Sequence, residues 1–79
     1  MRIISQNGEH DVPYNQCTFW IDKSKNIIYA TPIGEIDTLL PMAIYSRYDK
    51  IEKAVRKLHN QYQEGQSNTI FRFPKENEI

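Results

Sequence analysis

Only one stretch of this 79-residue chain has helical periodicity, and it is punctuated at both ends. Ser46 stands where an N-cap belongs. Asp49, three residues on, is placed to reach back in a capping box while its charge meets the positive end of the helix dipole. Tyr48, Ile51, Ala54, Val55, Leu58 and Tyr62 recur at spacings that gather them on one face, and Gly65 follows as a C-cap glycine. The other face carries Glu52, Lys53, Arg56, Lys57 and Gln63, with Glu52 and Arg56 at ion-pair spacing. One helix cannot bury its own stripe, so the rest of the chain must supply the surface that covers it.

That surface reads as short strands. Arg2 to Ser5 is strand-like and closes on Asn7-Gly8, a dipeptide suited to the positive φ angles of a tight hairpin; Asp11 to Tyr14 is the return limb. Pro13 lacks an N–H and confines that limb to an edge or a bulge. Cys17 to Asp22 alternates, with Cys17, Phe19 and Ile21 on one face and Thr18, Trp20 and Asp22 on the other. A four-residue connector, Lys23 to Asn26, leads to Ile27–Thr31 as the partner strand, which Pro32 and Gly34 stop. Residues 33–38 read as a loop. Leu39 to Tyr45 is apolar, but Pro41 limits it to an edge or to a strand beginning after it, and its second half is assigned to a strand. Gln66 to Asn68 turn the chain, and Thr69 to Phe73 forms the last strand, with Thr69, Phe71 and Phe73 on one side and Ile70 and Arg72 on the other. Residues 73–79 read as a polar tail.

The expected fold is therefore α+β: one domain over residues 1–79, with a small antiparallel β-sheet and one α-helix packed on one face. A chain this short buries only about 60% of the surface its unfolded form exposes, which makes self-association a reasonable source of added stability. Ten basic residues balance ten acidic ones, so no long-range field draws nucleic acid or an anionic membrane. No apolar run approaches the ~20 residues needed to span a bilayer. Cys17 is the only cysteine, which rules out an internal disulfide and fits a reducing cytoplasm.

Candidate chemistry is sparse. His10 sits in a polar turn and His59 beside the apolar seam, each without a partner in sequence, so both read as structural. Cys17 is in phase with Phe19 and Ile21 and reads as a small buried hydrophobe rather than a nucleophile. Glu35 and Asp37 share a loop but lack the further ligands that a metal site needs. Trp20 fits two roles, a ring offered to a base or a partner, or one covered by another subunit or loop. Arg2, Arg47, Arg56 and Arg72 are possible phosphate forks, and Tyr14 is held behind Pro13. The expected ligand-binding set is thus Arg2, Tyr14, Trp20, Arg47, Arg56 and Arg72, with no catalytic residue, metal or cofactor. Between Ser46 and Glu64, five basic residues against three acidic ones leave only +2, which makes nucleic acid an unfavoured partner.

The two ends of the chain add context. Met1 to Gln6, Asp11-Val-Pro-Tyr14, the Ala43 to Ser46 phrase before the helix, and Phe71-Arg-Phe-Pro74 with Glu76 and Glu78 resemble a family of small proteins carried by phages and mobile elements of Gram-positive bacteria. The segment from Cys17 to Leu40 matches no fixed pattern of that family and is where specific recognition is expected. The resemblance implies a cytoplasmic factor of the bacterial host. Taken with the lack of catalytic machinery, it points to a non-catalytic protein that blunts a defence by occupying a host protein or a small nucleotide signal, and the short chain adds the expectation of a homo-oligomer. The alternatives are a structural or regulatory module that docks by a sheet edge or helix face with no small ligand, or a weak nucleic-acid binder.

Overall fold

The computed structural model describes residues 1–35, 37–64 and 69–79. Six strands and one helix follow one another as β1 (Arg2–Ile4), β2 (Asp11–Pro13), β3 (Cys17–Asp22), β4 (Ile27–Pro32), β5 (Leu40–Ile44), α1 (Tyr48–Gln63) and β6 (Ile70–Arg72). The α+β class expected from the sequence holds. The strands, however, divide into two three-stranded sheets, ordered β2-β1-β6 and β3-β4-β5, where a single sheet was expected. The departure comes from the chain's ends: β6 returns to pair with β1 in parallel, placing Phe71 beside Ile3.

Local chemistry explains most of the boundaries. In the β1–β2 loop Gly8 alone takes a positive φ, +80°, and its N–H donates to the Ser5 carbonyl at 2.9 Å. Asn7 stays out of the left-handed region, and its Oδ1 accepts from the Ser5 hydroxyl at 2.7 Å and from the Glu9 N–H at 3.0 Å. The loop is therefore longer than the two-residue hairpin that Asn7-Gly8 suggests. The β3–β4 connector turns as expected, with Asp22 accepting from the Ser24 N–H at 3.0 Å and Asn26 at φ +54°. Pro13 lies on an edge strand. Pro41 lies inside β5, also an edge, beside a bulge that makes Met42 an extra residue and buries Met42 and Ala43 in succession.

A single core collects Ile3, Val12 and Phe71 from one sheet, Ile28, Ala30, Met42 and Ala43 from the other, and Ile51, Ala54 and Leu58 from α1. Full burial of Ile51 and of Leu58 stabilises by about 1.5–3 kcal/mol each. Phe73, just past β6, is also buried and meets Phe71 edge-on at 5.2 Å.

Helix α1 starts one residue later than the capping pattern suggests. Arg47 is the N-cap residue and makes no side-chain cap bond; it pairs with Asp49 instead. Ser46 is bypassed because a carboxylate arrives from the far end of the chain: its N–H donates to Glu76 Oε1 at 2.7 Å, and Lys50 Nζ lies 2.8 Å from Glu76 Oε2. The closing residues are polar but docked, with Glu76–Glu78 in a short 3-10 turn. The Pro74 carbonyl accepts from the Tyr45 hydroxyl at 2.5 Å and from Gln6 Nε2 at 3.1 Å. The expected Glu52–Arg56 ion pair does not form among the described residues. The expected Gly65 cap and the Gln66–Asn68 turn lie outside the described residues, as does residue 36 of the expected 33–38 loop.

Candidate binding groove

Strand β3 is an edge strand, and the alternation of its hydrogen bonds shows which of its backbone groups face outward. The Gln16 carbonyl accepts from the Ile33 N–H at 2.9 Å, whereas Cys17 faces Pro32, which has no N–H. Continuing the antiparallel alternation, Thr18, Trp20 and Asp22 exchange bonds with β4, while Cys17, Phe19 and Ile21 turn their N–H and C=O groups away from the sheet. Among the described residues nothing hydrogen-bonds to those outward groups.

Alongside this open edge runs α1. Tyr14 stacks on Tyr62 at 4.2 Å and closes one end of the space between them, and Lys23 lies 5.4 Å from the centre of the Tyr48 ring at the other end. Because Tyr14 precedes β3 and Tyr62 ends α1, strand and helix run in opposite directions. Between them is a hollow of about 220 Å³, lined by Tyr14, Phe19, Trp20, Ile21 and Ile28 on the sheet side and by Val55, Leu58, His59 and Phe73. A shallower region beside it shares Ile21, Val55 and His59 and adds Tyr48, Glu52, Arg56, Asn60 and Gln63. The inner hollow is mostly apolar, and its rim is polar.

Trp20 projects from the opposite face of β3, as the alternation requires, and stays 38% exposed. It stacks on its cross-strand neighbour Tyr29 at 4.7 Å, and its indole N–H donates to Thr31 Oγ1 at 3.3 Å. Ile44, paired with Ile27 and 57% exposed, extends this face.

The six expected ligand-binding residues do not form one site. Tyr14 lines the hollow, Trp20 borders it with its ring on the opposite face of β3, and Arg56 stands on its rim. Arg2 and Arg72 occupy the other sheet, where the Arg2 guanidinium is held by Asp11 and Arg72 donates to the Gln6 carbonyl at 3.4 Å. Arg47 is at the start of α1 with Asp49. No phosphate-sized convergence of guanidinium groups results. Cys17 is half-buried, and burial, reinforced by the charge of Glu35, pushes its thiol up from the ordinary range, away from the thiolate a nucleophile needs. Glu35 and Asp37 are exposed, with Glu35 Oε1 accepting from the Thr38 hydroxyl at 2.9 Å. His10 donates its backbone N–H to the buried Ser5 hydroxyl. The residues that sequence reasoning missed are Phe19, Ile21, Val55 and Leu58, whose apolar spacing marks them as core without revealing that the space beside them is open.

The chain matches no family model, no curated protein and no solved structure.

Proposed function

We propose that this chain is a non-catalytic binding module that holds another protein by strand addition along β3. One observation carries the reading: a six-residue sheet edge with unpaired N–H and C=O groups beside an apolar hollow walled by α1. Main-chain bonding supplies affinity in such an arrangement, and a pocket for an alternate side chain supplies selectivity. The partner expected from the resemblance is a host defence protein met in the bacterial cytoplasm. A nucleotide ligand has less behind it, because the arginines that would grip its phosphates are dispersed and three of them are already engaged.

The test compares proteins recovered from host lysate by the tagged wild type and by Val55→Glu, which places a carboxylate in the hollow, with the fold of the variant checked by circular dichroism. The proposal expects partner recovery to fall at least about tenfold, the loss of roughly 1.4 kcal/mol of binding energy, and the recovered partner to slow amide exchange at Cys17, Phe19 and Ile21. Equal recovery by a folded variant, with exchange at β3 unchanged, would overturn it.

A further inference from the structure

The two sheets have four edges, and three are guarded. Edge strand β2 ends in Pro13. Edge strand β5 contains Pro41 and a bulge, and Gln6 occupies its flank: the Gln6 N–H donates to the Met42 carbonyl at 2.6 Å and Gln6 Oε1 accepts from the Ile44 N–H at 3.1 Å. On β6, Gln61 Nε2 donates to the Ile70 carbonyl at 3.2 Å. Proline, bulges and side-chain caps are how sheets protect their borders from unwanted pairing. Strand β3, Cys-Thr-Phe-Trp-Ile-Asp, is the longest of the four edges and has no proline, lysine or bulge.

We infer that β3 pairs with β3 of a second copy of this chain, antiparallel about a two-fold axis at Phe19, to form a reversible dimer with a continuous six-stranded sheet. This rests on the reading of β3 as the binding element, and the second copy and the other protein take the same edge in turn. The hydrogen-bonding parity is self-complementary. The outward groups fall at Cys17, Phe19 and Ile21, so a two-fold at Phe19 sets Phe19 against its equivalent and Cys17 against Ile21, giving about six backbone hydrogen bonds. No like charges meet: Asp22 falls opposite the uncharged Gln16 of the other copy. On the outer face Trp20 lands opposite Thr18, with the second Trp20 on the diagonal and within reach of its ring. The two Trp20–Tyr29 stacks then form one aromatic surface that is half-exposed in the single chain. A strand edge with one aromatic pair buries less than the ~800 Å² per partner of a standard interface, so the dimer is a weak one that dissociates on dilution.

Sedimentation velocity of the full chain, from low micromolar to near-millimolar concentration, tests the association. Trp20 is the sole tryptophan, so its emission reports the same event. The expected result is a monomer–dimer transition with a blue shift of Trp20 at the same midpoint. It weakens at least about tenfold in a chemically synthesised chain carrying N-methyl-Phe19, which keeps the side chain and removes one outward donor. The register is read from Ile21→Cys. Cys17 and the introduced thiol lie about 13 Å apart within one extended strand and cannot bridge there, but across the two-fold their Cα atoms are about 5.5 Å apart, within disulfide range. Oxidation of this variant is expected to give a covalent dimer linking Cys17 of one copy to position 21 of the other. A wild type that is monomeric throughout, a dimer indifferent to N-methylation, or a cross-link joining Cys17 to Cys17 would each overturn the inference. A monomeric wild type that still recovers a partner, with β3 amides protected, would sink the dimer alone and leave strand addition to another protein standing.

Discussion

Gln6 is the residue whose loss should be felt most for its size. Its N–H and Oε1 bind β5 on either side of Ala43, and its Nε2 reaches the Pro74 carbonyl, so one half-buried side chain joins β1, β5 and the chain's end. Gln6→Ala returns the exposed Ile44 N–H to water and removes one of two donors to Pro74, a cost of about 0.5–1.5 kcal/mol in urea denaturation, while Gln6→Glu keeps the acceptor and recovers part of it. Asn26 offers a different test, because its strain is in the backbone. At φ +54° a Cβ is tolerated best when the side chain is Asn, Asp or absent. Asn26→Ala should therefore destabilise by about 1 kcal/mol, and Asn26→Gly should lie close to the wild type, the relief of strain being offset by a more flexible unfolded chain.

Helix α1 shows what local reasoning can and cannot reach. Its apolar face was legible, since Ile51, Ala54 and Leu58 are buried where the periodicity puts them. Its N-terminus was not, because the group that completes it, Glu76, comes from the other end of the chain, and no window around Ser46 contains it. The same holds for the sheets. The alternation of Cys17 to Asp22 follows from its own residues, but β3 being an open edge depends on β6 pairing with β1, a contact between distant segments. The groove was hidden for that reason: Tyr14 and Trp20 could be singled out one by one, but the hollow they border could not. The Glu76 anchor also sets a pH dependence. Hydrogen bonds from Lys50 and then Ser46 hold its carboxyl down to about 2, from an ordinary 4.5. A depressed carboxylate pKa adds stability that is complete above the unfolded value and is lost as pH falls through the folded one. Stability should thus decline between about pH 4.5 and 2, and Glu76→Gln, which keeps an acceptor for Ser46 but no charge, should flatten that part of the profile in acid-dependent urea melts.

At the scale of the whole molecule, the two sheets meet along a seam made largely of chain ends. Tyr45 and Gln6 converge on the Pro74 carbonyl, Lys50 and Ser46 on Glu76, and Lys75 and Glu78 close the final turn on themselves. The Tyr45 phenol is pushed well above its ordinary range by burial and by the charges of Glu76 and Glu78, so it stays protonated and able to donate across this seam at neutral pH. By contrast the β3–β4 hairpin and its pairing to β5 involve none of the last five residues. Removing residues 75–79 should therefore act unevenly. The first turn of α1 loses the carboxylate at Ser46 and the partner of Lys50, and its amides from Tyr48 to Ile51 should exchange at least about tenfold faster, equivalent to about 1.4 kcal/mol of local stability. Amides of Ile28 and Ala30, inside the three-stranded sheet, should keep most of their protection. Native-state hydrogen exchange on the truncated chain separates this from global destabilisation, in which every protected amide would accelerate together. A uniform acceleration would mean that the seam holds both sheets and the helix in one cooperative unit.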